Sequence, residues 1–77
     1  MNVKAAADDM WLLIQNSNLP EEHESYGKDH LRAMLAILVS EKITGEKAHR
    51  WLGWIQGCVC IGEGSTLEDM KKINKSA

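Results

Sequence analysis

Two cysteines are the first side chains in this sequence whose type could do chemistry. Cys58 and Cys60 are one residue apart in a segment with helical periodicity, so their thiols project from well-separated faces and are poorly placed to form a disulfide. A structural zinc site needs four ligands, usually in paired modules on turns, whereas His23, His30 and His49 are scattered. We therefore interpret both cysteines as apolar core side chains with no metal ligand role, and keep a zinc or thiol site as the alternative.

A second candidate for chemistry is the acidic stretch at residues 21–24, which reads Glu-Glu-His-Glu. Charge runs of this kind are most often solvated surface, and this one follows a turn-forming Asn, Ser and Pro cluster. The sequence contains no glycine-rich phosphate loop, no H-E-x-x-H and no G-x-S-x-G motif. A chain of 77 residues is also short for a pocket of enzyme size, so we predict neither enzymatic activity nor a cofactor.

Composition narrows the class of protein further. The chain has nine Lys and Arg against eleven Asp and Glu, a net charge of −2, which excludes a polybasic nucleic-acid arm. The 44% hydrophobic content argues against disorder, and the longest apolar run, residues 34–39, is far below the ~20 residues of a membrane span. The first residues lack the apolar segment of a signal peptide. We expect one cytoplasmic domain covering residues 1–77.

Apolar residues recur every three or four positions and predict an all-α fold. The predicted helices are three long ones at residues 3–15, 26–41 and 45–61, and a short one at residues 66–74, with an acidic loop at 16–25. Gly62 or Gly64 is suited to a left-handed position after the third helix, and Ser65 to Glu68 fits an S-x-x-E capping box for the last. The apolar stripe of the second helix is wider than one small helix can cover, which predicts a homodimer.

The third predicted helix contains two glycines, Gly53 and Gly57, spaced so that they share a face. Each costs ~1 kcal/mol relative to alanine inside a helix, so a packing reason is expected. The second helix has a matching small stripe that includes Ala33 and Ala36. We therefore predict a tight central hairpin of the two helices, and the alternative is that the glycines receive a helix of a partner or of a second copy.

The outer face of the third helix supplies the candidate binding residues. Tryptophans at helical spacing usually belong to a core, but Trp54 lies 100° from the core position 55 on the helical wheel. If it is exposed it is an interface anchor, and we predict partner binding by Arg50, Trp54 and Gln56. The alternative is a small nucleic-acid-binding regulator that uses Lys42, Lys47 and Arg50, although the basic set is thin and nucleic acid is therefore not the expected partner.

The second half of the chain resembles a family of small accessory proteins of tailed phages and prophages of enterobacteria. The resemblance covers residues 47–75 and is carried by the block R-W-L-G-W-I-Q-G at 50–57, a glycine turn and the helix T-L-E-D-M-K at 66–71. It implies a small cytoplasmic protein of a bacterial host that binds a host or phage protein and alters its activity. The family has Phe more often where this chain has Trp54, and Cys58 and Cys60 lie outside its pattern.

Overall fold

The computed structural model describes all 77 residues, with five helices and no strand. The helices are α1 (Val3–Asp8), α2 (Trp11–Asn16), α3 (Lys28–Val39), α4 (Gly45–Ile61) and α5 (Leu67–Ser76). They contain 66% of the residues, which confirms the predicted all-α class. None of them combines the length and the apolar composition that a bilayer-spanning helix needs.

The segment predicted as one helix at residues 3–15 is two helices, α1 and α2. The Asp9 N–H donates to the Ala6 carbonyl oxygen at 3.2 Å, three residues back rather than four. The Met10 N–H does the same to Ala7 at 2.9 Å. Two consecutive bonds of this kind form a 3₁₀ turn, which interrupts the α-helix. The two aspartates at residues 8 and 9 are weak helix formers and therefore favour an interruption at this place. Helix α1 lies against α3, α4 and α5, while α2 lies against α3.

A compact loop joins α2 to α3 and shortens the predicted second helix. The Lys28 N–H donates to the carbonyl oxygen of Pro20 at 2.9 Å, and the Asp29 N–H donates to that of Glu21 at 3.1 Å. Gly27 is buried in this loop, where a Cβ would collide with the backbone nitrogen of His23. The helix therefore begins at residue 28 rather than 26, and it ends at residue 39 rather than 41.

Helix α4 begins and ends at the predicted residues, 45 and 61. The expected left-handed glycine after it is wrong, because Glu63 adopts that conformation, with φ of 59°, and Gly62 does not. Gly64 is required for a different reason, because the backbone of α2 approaches it closely. A Cβ at this position would lie 2.5 Å from the Leu13 carbonyl oxygen. The turn after α4 therefore packs directly against α2.

Helix α5 covers Leu67–Ser76 rather than residues 66–74, and its capping box is one residue later than predicted. The Asp69 N–H donates to Thr66 Oγ1 at 3.2 Å, and the Thr66 N–H donates to Asp69 Oδ2 at 3.4 Å. The Ser65 hydroxyl also donates to this carboxylate, at 3.0 Å. Ser65, which was predicted to be the N-cap, therefore precedes the N-cap and stabilises it through a hydrogen bond to the Asp69 carboxylate.

The core lies between α3 and the helices α1, α2 and α4, and α5 adds one residue to it from its place against α1. It contains 14 buried residues: Ala6, Ala7, Met10, Ile14, Leu31, Met34, Leu35, Leu38, Ala48, Leu52, Ile55, Cys58, Val59 and Met70. Helix α3 is covered by α1 and α2 as well as by α4, so its wide apolar stripe is satisfied within one chain. The reason from which a homodimer was predicted therefore does not hold.

The chain is as compact as a folded domain of its size, and its ends meet. Its accessible surface is 4693 Å², against about 4,700 Å² expected for a folded monomer of this mass. The Asn2 N–H donates to the Ala77 carbonyl oxygen at 2.9 Å, which joins the start of α1 to the end of α5. The fold thus completes its core without a second chain.

Candidate protein-binding face on helix α4

The side of α4 that points away from the core presents apolar side chains to solvent. We call this surface the outer face of α4 and define it by Arg50, Gly53, Trp54, Gly57 and Ile61, which follow one another at helical spacing. The Trp54 side chain is 48% exposed and Ile61 is 83% exposed. Exposed large apolar side chains grouped together, rather than scattered singly, mark interaction surfaces.

The two glycines of this face form a flat strip that no part of the chain covers. A Cβ added at Gly53 or at Gly57 would meet no heavy atom within 4 Å. Ala33 and Ala36, the predicted packing partners, are exposed on α3. The predicted tight hairpin is therefore wrong, because α3 and α4 face each other through larger core side chains and turn their small residues outward. The space over Gly53 and Gly57 is therefore open to solvent.

An apolar groove runs along one side of the glycine strip. This tryptophan groove has a volume of about 480 Å³. It is lined by Leu19, Tyr26, Gly53, Trp54, Gly57, Cys58 and Ile61. No charged side chain lines it, and it is of the size that ligand sites usually have. The groove can therefore take apolar groups but offers no counter-charge.

A second groove lies on the opposite side of the strip, against α5. This α5 groove has a volume of about 450 Å³ and is more polar. It is lined by Gly53, Gln56, Gly57, Cys60, Leu67, Met70, Lys71 and Asn74. The glycine strip therefore separates two grooves that run along α4. The side-chain ridges of a second helix pack into grooves of this kind.

The indole of Trp54 is anchored to the loop before α3. Its Nε1–H donates to the Ser25 carbonyl oxygen at 2.8 Å. His23 builds that loop, since its Nδ1 accepts the N–H groups of Ser25 at 3.1 Å and of Tyr26 at 3.3 Å. Its ring also stacks on Tyr26, with centroids 3.6 Å apart. The wall of the tryptophan groove is therefore set before any partner binds, which lowers the entropic cost of binding.

Gln56 does not belong to the outer face, contrary to the prediction. It is buried, and its amide exchanges two hydrogen bonds with Asn74 of α5, at 2.7 and 3.1 Å. Because the side chain is buried and held by both bonds, it presents little surface to a partner. Gln56 therefore fastens α5 to α4 and forms the floor of the α5 groove.

The two ends of the outer face carry opposite charges. Arg50 is exposed at the N-terminal end of α4 and takes part in neither of the two ion pairs in the structure, Arg32–Glu21 and Lys71–Glu68. Glu63 is exposed just beyond the C-terminal end, where its carboxylate accepts a hydrogen bond from Asn18 at 3.5 Å. Both charges are available to a partner that lies along the helix.

The nucleic-acid alternative depends on three exposed basic residues. Lys42 is in the loop before α4, and Lys47 places its ammonium 5.7 Å from the ring centroid of Trp51. Lys47 and Arg50 are three residues apart on α4 and are therefore neighbours on its surface. Non-specific nucleic-acid binding depends on several phosphate contacts from one surface, and three basic side chains supply few of them.

The two cysteines are free thiols in different surroundings. Cys58 is buried at the edge of the tryptophan groove, and burial raises the pKa of its thiol. Cys60 is half-buried and lines the α5 groove. A raised pKa favours the thiol form of Cys58, which is less nucleophilic than the thiolate, and the side chain packs in the apolar core.

Sequence reasoning missed the residues that other elements bring to this face. Leu19 and Tyr26 of the loop and Leu67 of α5 line the grooves, although none belongs to a helical stripe. A signal for Leu19 was present, because it is an isolated apolar residue in a polar turn. No comparable signal identifies the other two, since their place depends on how the loop and α5 fold back.

Comparisons with protein-family models, with curated proteins and with solved structures find no match for this chain. The class of the protein is therefore defined by its own structure, as an all-α domain with an apolar face along one helix.

Proposed function

We propose that this protein is a non-enzymatic binding module, of a phage or a prophage, that attaches to a host or phage protein in the bacterial cytoplasm and modulates it. The observation that carries the proposal is the exposure of Trp54 and Ile61 around an open apolar groove on α4. The sequence resemblance of residues 47–75 to phage and prophage accessory proteins supports the source.

The chemistry of the face favours a protein as the partner. Burying a large apolar side chain on binding is worth ~1.5–3 kcal/mol, and tryptophan and arginine are enriched among the residues that dominate interfaces. Trp54 and Arg50 lie one turn apart on α4, with an uncharged groove beside them. A partner that offers apolar side chains and a carboxylate near Arg50 satisfies all three features.

Affinity capture with matched variants tests the proposal. Tagged wild-type protein is incubated with nuclease-treated enterobacterial lysate, washed at moderate salt and analysed by mass spectrometry, beside Trp54→Ala and Trp11→Ala. Trp11 is 36% exposed on α2, lines neither groove of the outer face, and serves as the control. We expect a protein in fixed stoichiometry with wild type and Trp11→Ala, and loss of it with Trp54→Ala.

Two results would contradict the proposal. Capture of the same protein by a folded Trp54→Ala variant would remove the outer face of α4 from the interaction. A partner captured only from a parallel lysate without nuclease, or one whose capture falls steeply with salt, would point to nucleic acid instead, because phosphate contacts release counterions and an apolar interface does not.

A further inference from the structure

We infer that a second copy of this chain binds the outer face of α4, with the two α4 helices antiparallel and crossing at Gly57. The inference rests on the proposed function in one respect, that this face is a protein interface, and it names the partner of the free protein. It does not use the apolar stripe of α3, which the fold covers.

The spacing of residues along α4 is symmetric about Gly57, as a two-fold axis at that residue requires. Gly53 and Ile61 are each four residues, or ~6 Å, from Gly57 along the helix. In an antiparallel pair the exposed Ile61 side chain of each copy therefore lies opposite Gly53 of the other, where no Cβ occupies the space. The exposed Ile61 side chain of each copy therefore fits the open space at Gly53 of the other copy, so the dimer contains this contact twice.

Charge follows the same symmetry. Arg50 is seven residues before Gly57 on α4, and Glu63 is exposed two residues beyond the end of the helix, so the antiparallel arrangement brings each Arg50 to the end of the other α4 at which Glu63 lies. It also places each Arg50 at the C-terminal end of the opposite α4, where the helix dipole favours a cation. The last turn of α4 has no basic residue of its own. A parallel pair would instead place Arg50 against Arg50.

Close approach of two helices is what the bare glycines permit. The distance between helix axes at a crossing is set by the side chains at the contact, and glycine gives the shortest. With Gly57 on Gly57, the two Trp54 rings lie beside the crossing at the rims of the grooves. The interface is isologous, so one set of residues satisfies both copies and the association closes at two.

Dimerisation and binding of another protein use the same face and therefore exclude each other. The free protein is a dimer, and a target that takes the outer face of α4 replaces the second copy. Because each chain buries its own core, the released monomer stays folded. Variants that break the dimer can therefore be tested as folded proteins.

The first measurement is the oligomeric state of the purified protein. Sedimentation and light scattering over a dilution series up to about 100 µM would detect a complex of micromolar Kd. We expect a dimer in the wild type and a folded monomer for Gly57→Arg, with Lys42→Glu unchanged as a surface control. A wild type that is monomeric at every concentration overturns the inference and leaves the Trp54-dependent capture of a target as a separate result.

Charge reversal tests the antiparallel register. Arg50→Glu places two carboxylates together at both ends of the dimer, and Glu63→Arg places two cations there. Each reversal should weaken dimerisation about tenfold, because two attractive contacts become repulsive. An equimolar mixture of the two variants should restore it, since every contact in the mixed dimer then joins opposite charges.

The mixture has two informative outcomes. Recovery of the dimer in the mixture alone supports the register, and circular dichroism of each variant confirms that it is folded. If both variants dimerise as the wild type does, or if the mixture stays as weak as its components, the antiparallel pairing of Arg50 with Glu63 is wrong.

Discussion

Trp54 illustrates how a single residue is fixed without being buried. Its indole is half exposed, yet its only polar group is already engaged by the Ser25 carbonyl oxygen. The ring therefore has no free donor with which to select a polar partner, and what it offers is area and shape. Trp54 therefore recognises apolar surface, and the charges of Arg50 and Glu63 determine in which orientation a partner binds along α4.

The two thiols should differ in reactivity. Iodoacetamide attacks the thiolate, and burial both raises the pKa of Cys58 and restricts access to it. We expect alkylation of Cys60 first in the native protein and equal alkylation of both in denaturant, measured by mass spectrometry of the peptides over time. Faster reaction of Cys58, with Cys60→Ser as the control, would show that its surroundings are open.

Among the elements, both bounds of helix α4 could be predicted from sequence, because its apolar period is flanked by a turn before residue 45 and a glycine-containing turn after residue 61. The division of α1 from α2 could not, since Met10 and Ile14 keep the helical period across the break and only backbone hydrogen bonds reveal it. The glycines of α4 were recognised as unusual but assigned to the wrong neighbour. Periodicity gives the face a residue lies on, and not what covers it.

Glycine substitutions separate the two kinds of glycine in α4 and its C-terminal turn. Gly53→Ala should stabilise the monomer by ~0.5–1 kcal/mol, because it improves helix propensity where a Cβ meets nothing. Gly62→Ala should destabilise it, because a Cβ there would lie 2.6 Å from Leu19 Cγ. Urea unfolding at concentrations low enough to keep the protein monomeric measures both. Equal effects of the two changes would mean that this difference in packing space has no energetic consequence.

The cap of α5 should make stability depend on pH in acid. Hydrogen bonds from Ser65 and Thr66 lower the pKa of Asp69 below its ordinary 3.8. The stability from this carboxylate is therefore present above pH 3.8 and is lost as the pH falls through the lowered pKa of the folded state. Unfolding measured from pH 6 to 2 should show the loss in wild type, and Asp69→Asn should remove that component.

The Thr66 hydroxyl allows the contribution of the same N-cap to stability to be measured independently of the Asp69 carboxylate. Thr66→Ala should cost ~1 kcal/mol of helix stability, the usual value for an N-cap. Thr66→Ser keeps the oxygen that accepts from the Asp69 N–H and should stay close to wild type. An alanine variant as stable as the serine variant would show that the box is not formed in solution.

For the whole molecule, the small core limits how large a loss of unfolding free energy the fold tolerates. A 77-residue domain has a total stability of ~4–12 kcal/mol. Leu35 is fully buried, and Leu35→Ala should cost ~2–5 kcal/mol, up to the whole of that reserve. Leu12→Ala is the matched control, since Leu12 is 62% exposed and should change the unfolding free energy by less than ~0.5 kcal/mol.

The contact between the first and last helices has a consequence for how the chain is made. Synthesis delivers ~5–20 residues each second, so the side of α1 that meets α5 waits roughly 3–12 s for that helix, whereas α3 and α4 emerge earlier and cover its other sides. The buried residues of α1 are Ala6 and Ala7, among the smallest apolar side chains. A nascent chain whose two ends close last thus exposes little apolar surface of its first helix while it waits.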